Sequence, residues 1–124
     1  MRKIQVENYM VPMRDEKGNM VPKPYNVKES MVSCLLHPVL KLTGRELLLR
    51  GKLATRIEEA EIKEGKGHIL VEEADYAKLK KAFETIEGFT KSDMELVRRV
   101  LEAEVVEVKE KEGKEKGRVK GKRQ

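Results

Sequence analysis

Tryptophan is absent from this 124-residue chain, and aromatic residues make up only 4% of it. A core must therefore come from aliphatic side chains and a few rings, and a chain of this length can bury a modest one. The single cysteine, Cys34, excludes an internal disulfide and suits a reducing compartment. No run of 18 apolar residues occurs, so no membrane-spanning helix is expected. Met1 to Glu7 lacks the apolar segment of a secretory signal. His37 and His68 stand apart, without Cys or Asp at metal-ligand spacing, whereas a zinc site needs three or four such groups. Gly65-Lys66-Gly67 is too short for a phosphate loop and reads as a turn. These absences leave a cytoplasmic protein with no expected cofactor, metal or membrane contact.

Charge is what the chain has in plenty: 40% of residues are Asp, Glu, Lys or Arg, with a Lys/Glu bias like that of thermophile proteins. Eight basic residues and four glutamates fall between Glu107 and Gln124, so most of the net +5 sits there and residues 1–106 are nearly neutral. From Lys109 onward only Val119 is a sizeable apolar residue. Such a segment cannot bury enough surface to offset its ordering entropy, so 109–124 is expected to be disordered and 1–108 to form one domain.

The domain is organised around Thr43 to Glu104. Thr43-Gly44-Arg45-Glu46 has the pattern of a capping box. Leu49, Leu53 and Ile57 follow four apart, with Ala54 and Ala60 beside them, which predicts an apolar stripe on a helix over 44–63; Arg45, Arg50, Lys52 and Arg56 then fill the opposite side. Gly65 and Gly67 stop it. His68-Ile69-Leu70-Val71 reads as a short buried strand. Glu73 and Asp75 suit the positive start of a helix over 73–87, whose Tyr76, Leu79, Phe83 and Ile86 share one face. Ser92-Asp93-Met94-Glu95 repeats the capping pattern and opens a helix over 93–104, striped by Met94, Val97, Val100 and Leu101.

Upstream, Ile4 and Val6 alternate, as do Tyr9, Val11 and Met13 in the other phase, which calls for a bulge or break near Asn8. Asp15 to Asn19 is a turn, and Met20 to Tyr25 carries two prolines that confine it to an edge. An N-terminal β-hairpin arm follows. Asn26 caps a helix over 27–36 bearing Met31, Cys34 and Leu35, which breaks at His37-Pro38. Val106 and Val108 fit a last short strand. The fold class is α+β: a hairpin arm, then about four helices around a short strand.

Chemistry is sparse. Cys34 lies three residues from His37, yet no acidic group follows to orient a base, and a buried structural thiol is the better reading. The pairs Glu58-Glu59 and Glu72-Glu73 are ordinary in a chain so rich in glutamate, and adjacent surface carboxylates do not separate their pKa values. No set of nucleophile, base and orienter converges, so no catalysis is expected. The tail is different: Lys116, Arg118, Lys120, Lys122 and Arg123 gather five positive charges without an acid, a pattern that binds phosphate backbones by counterion release. No aromatic interleaves them, so base stacking is not offered.

The central layout resembles that of small uncharacterised proteins encoded by tailed phages and prophages. The resemblance lies in Gly18-Asn19 in the arm's turn, in Arg50, Leu53, Ala54 and Ile57 as Arg-x-x-Leu-Ala-x-x-Ile, and in Leu70, Val71, Glu72, Glu73 and Leu79. It implies a phage or prophage origin and an assembly or regulatory role, and it carries over no site residues; the basic tail is not part of the shared layout. The expected function is a non-enzymatic adaptor that binds a protein partner, either by its arm adding to a partner's sheet or by an exposed helical stripe. The alternative is a nucleic-acid-binding accessory protein acting through the tail. Nothing in the pattern specifies an oligomeric state.

Overall fold

The computed structural model describes residues 1–107. The tail residues Lys116, Arg118, Lys120, Lys122 and Arg123, and the expected disorder of 109–124, lie outside them. The described chain runs β1 (Arg2–Gln5), β2 (Tyr9–Arg14), β3 (Met20–Tyr25), α1 (Val27–Leu35), a 3-10 turn (Pro38–Leu40) and α2 (Gly44–Glu59). Then come β4 (His68–Val71), α3 (Glu73–Thr85), a second 3-10 turn (Lys91–Asp93), α4 (Met94–Leu101) and β5 (Glu104–Val105). The fold is α+β, with an N-terminal hairpin and four helices.

The break near Asn8 is real, and it separates two sheets. β2 and β3 form the hairpin, with Tyr9 opposite Tyr25 and Arg14 opposite Met20. β1 leaves the hairpin and becomes the centre of a three-stranded antiparallel sheet, between β4 and β5. The predicted short strand His68–Val71 thus pairs along its whole length with Arg2 to Gln5. The closing strand is Glu104–Val105 rather than Val106 with Val108, and Val108 lies beyond the described residues. At the break, Glu7 accepts from the Gly67 amide (3.0 Å), and Asn8 accepts from the Val27 amide (3.0 Å) at the start of α1. Gly67 also lies close against the preceding loop, where a Cβ would stand 2.5 Å from the Glu61 carbonyl oxygen.

One apolar cluster joins the layers. Ile4 and Val6 from the β1 end, Val27, Met31 and Leu35 of α1, and Ile69 and Val71 of β4 meet Tyr76, Leu79 and Phe83 of α3 and Leu96 and Val100 of α4. Each fully buried Leu or Ile of this set contributes roughly 2 kcal/mol of transfer free energy. The α3 stripe is as expected, except that Ile86 is only half-buried. In α4 the core residues are Leu96 and Val100, while Met94 points to solvent. The expected Ser92–Glu95 capping box is replaced by one two residues earlier. There the Asp93 carboxylate accepts from the Thr90 amide (2.8 Å) and hydroxyl, while Glu95 turns to Arg98 and Arg99.

α2 departs most from its sequence pattern. The Thr43 hydroxyl accepts from the Glu46 amide as expected (3.2 Å), but Glu46 does not reach back; its carboxylate holds Arg50 (3.0 Å). The buried face is Arg50, Leu53, Ala54 and Ile57, and Leu49 lies outside it. Leu49 and Arg50 compete for one place in the core, and Arg50 takes it at 5% exposure. The reason is polar. α1 ends facing this point, its last carbonyls have no helical partner, and the Arg50 guanidinium donates to the Leu35 carbonyl (3.2 Å). Leucine has no donor for that oxygen.

Candidate functional site

Rotating α2 by one residue turns three consecutive leucines outward. Leu47, Leu48 and Leu49 are 46%, 73% and 45% exposed, on the first two turns of the helix. Apart from half-buried Glu46, residues 43–49 are all exposed, so this end of α2 projects beyond the core. Arg45, Leu48, Lys52 and Thr55 step by three, four and three residues and share one face, with Leu47 and Gly51 on one flank and Leu49 on the other. Together they line a shallow open groove. Neither Arg45 nor Lys52 makes an ion pair or side-chain hydrogen bond among the described residues, whereas Arg50, on the buried side of the helix, and Arg56, one turn beyond Lys52, do. An ideal Cβ at Gly51 would meet nothing within 4 Å, so the groove floor is bare backbone.

The hairpin offers a second apolar face. The Asp15 amide donates to the Asn19 carbonyl (2.8 Å), which makes the odd-numbered residues of β2 the mutually hydrogen-bonded positions down the ladder. Even-numbered amides therefore point outward. Pro12, Pro22 and Pro24 occupy three of those six outward positions and supply no N–H. Along β3 only Met20 keeps an outward donor, so a further strand would find few hydrogen bonds there. The even residues also share a side-chain face, with Met10 opposite Pro24 and Pro12 opposite Pro22, all exposed.

The hairpin's base is anchored firmly. The Tyr9 and Tyr25 rings stack at 4.8 Å, and the Tyr9 hydroxyl donates to the Ser92 carbonyl (2.7 Å) while accepting from the Leu96 amide (3.2 Å). The Tyr25 hydroxyl donates to Asp93 (2.5 Å). Burial and the Asp93 carboxylate push the Tyr25 hydroxyl well above the usual tyrosine range. Burial alone would raise Asp93, but hydrogen bonds from Thr90 and Tyr25 outweigh it and hold the carboxyl below its ordinary value. Arg99 lies over the Tyr9 ring, pairs with Glu95 and donates to the Glu7 carbonyl (2.7 Å), tying the β1–β2 junction to α4. These groups hold elements together, and each has a partner within the fold.

The remaining sequence candidates sit in structural places. Cys34 is half-buried, and burial, helped by Asp93, pushes its thiol up to about 11, away from the thiolate. The His37 ring nitrogen Nδ1 accepts from the Val39 amide (3.1 Å) and caps the first 3-10 turn. His68 is exposed at the start of β4. Glu73 pairs with Arg2 (3.2 Å). Among the described residues no three His, Cys, Asp or Glu side chains are grouped to hold a metal ion, and no helix is long and apolar enough to cross a membrane. No family model, curated protein or solved structure matches the chain.

Proposed function

We propose that this protein is a non-enzymatic adaptor of the cytoplasm that docks a protein partner on the outward face of α2. The observation that carries the reading is the run Leu47-Leu48-Leu49, exposed on helix turns that project from the core. Isolated surface leucines are ordinary, but a contiguous apolar patch bordered by charge is the mark of an interaction surface. Of the two docking routes, the helical stripe is favoured over strand addition, because the prolines remove half of the hairpin's outward amides. An assembly or regulatory setting is what the resemblance to small tailed-phage and prophage proteins implies.

The test is a photo-crosslinking residue placed at position 48 and, as control, at exposed Glu84 on α3, in cells that express the protein. The reading expects discrete polypeptide adducts from position 48 that are absent from position 84. Equal, diffuse labelling from both positions would refute it.

A further inference from the structure

We infer that the partner element seated on α2 is an amphipathic helix that carries acidic residues beside its apolar stripe. This rests on the adaptor reading and goes further by naming the occupant. Two features of the groove point to it.

The first is charge. Arg45 and Lys52 lie one turn to either side of Leu48, on the same face, and neither has a partner within the described fold. An occupant whose leucine-like anchors pack on Leu47, Leu48 and Leu49 brings its flanking residues up to both cations. Asp or Glu at those places would be matched, and Lys or Arg repelled. The same charges disfavour a second copy of this chain. Two α2 helices crossing antiparallel at Leu48 would set Arg45 of each against Lys52 of the other, like charge on like.

The second is shape. Gly51 sits mid-helix, where glycine is the least favourable residue after proline, and no atom of the described residues occupies the space above it. Nothing within the fold needs that bare backbone. A second helix does, because a missing side chain lets helix axes approach closely and side chains of the partner ridge enter the gap. Leu47 and Leu48, one turn before Gly51, border the notch and offer apolar contact beside it.

The experiment is a selection from displayed helical peptides, randomised at their apolar and charged positions, on the immobilised full-length chain. Counter-selection uses Leu48→Glu, which keeps the basic tail and so removes peptides bound there. The selected peptide is then titrated by fluorescence anisotropy against the wild type, Leu48→Glu, Arg45→Glu/Lys52→Glu and Gly51→Leu, each first shown by its melt to fold. The expected pool is enriched in Asp and Glu. Its binding falls at least tenfold in Leu48→Glu and in the double charge variant, and severalfold in Gly51→Leu, and it weakens with added salt. A neutral or basic pool that still depends on Leu48 would overturn the acidic-partner inference while leaving the adaptor reading in place. So would Leu48-dependent self-association by sedimentation, or Leu48-dependent binding to phosphatidylglycerol vesicles in place of peptide. The absence of Leu48-dependent binding in every arm would overturn both.

Discussion

Exchanging the neighbours Leu49 and Arg50 for alanine, one at a time, tests the phase of α2 directly. Arg50→Ala removes the only side chain among the described residues that donates to the Leu35 carbonyl, at a place where both residues are buried. Leaving such an acceptor unpaired costs about 1–3 kcal/mol. The aliphatic stem packed beneath the guanidinium adds roughly 1–2 kcal/mol at about 0.8 kcal/mol per methylene, only part of it lost. The ion pair to Glu46 contributes little, since that carboxylate is about a third exposed and regains water. The sum is about 3 kcal/mol, equivalent to roughly 12 °C or more in Tm for a domain of this size. Arg50→Met keeps the stem and removes only the donor, so it should fall about halfway. Leu53→Ala, in the same buried face, should cost about 3 kcal/mol by transfer and cavity terms. Leu49→Ala removes a side chain that remains 45% in water and should stay within about 0.5 kcal/mol. Urea and thermal unfolding of the four variants give the ranking. A large loss in Leu49→Ala with a near-silent Arg50→Ala would place Leu49 inside and refute both the phase and the outward leucine face built on it.

Three further outcomes follow. Cys34, with its thiol raised to about 11 from 9.0, should hold roughly a hundredfold less thiolate than a free thiol. Iodoacetamide at pH 8 should therefore label the folded chain far more slowly than the urea-unfolded one, and equal rates would contradict the burial of Cys34. Asp93 has a carboxyl held below the ordinary value of 3.8, so its contribution is present above about pH 4 and disappears as pH falls through the lower folded value. Asp93→Asn and Tyr25→Phe should each flatten the acid limb of a stability–pH curve, and an unchanged limb in both would exclude this carboxylate from acid stability. Deleting Lys109 to Gln124 removes eight basic residues and three glutamates, so weak DNA or RNA binding, falling steeply with salt, should vanish while the melt stays within about 1 °C. Binding unchanged by the deletion would rule out the tail as the contact.

Elements that announce themselves by local chemistry were legible in the sequence. Asn26 and Thr43 cap their helices as their side chains require, and the prolines of Met20 to Tyr25 sit at an edge because they cannot donate into a ladder. The phase break near Asn8 was also visible as a change of alternation. Its consequence was not: that β1 would pair with residues 68–71 depends on long-range contacts that four residues of alternation cannot specify. The capping box at Thr90 with Asp93 was obscured by an equally good match two residues later, at Ser92 with Glu95. Tertiary contacts decide between them. The Ser92 carbonyl is taken by Tyr9, Asp93 by Tyr25 and Glu95 by two arginines.

The site was illegible for a related reason. Leu49 with Leu53 and Ile57 is as good a helical stripe as Arg50 with Leu53 and Ile57, and hydropathy prefers the leucine. Choosing the leucine places Leu49 in the core and leaves Leu47 and Leu48 as scattered surface residues of no consequence. The spacing Arg-x-x-Leu-Ala-x-x-Ile held the other phase, since its four residues, Arg50, Leu53, Ala54 and Ile57, are the four that α2 buries. What hydropathy cannot weigh is the unpaired carbonyl of a neighbouring helix, which makes an arginine worth more than a leucine at one buried point. Once Arg50 turns inward to the Leu35 carbonyl, the helix has no freedom left. Leu47, Leu48 and Leu49 must face out, and Gly51, a weak point for helix formation when read alone, becomes the floor of the groove between them.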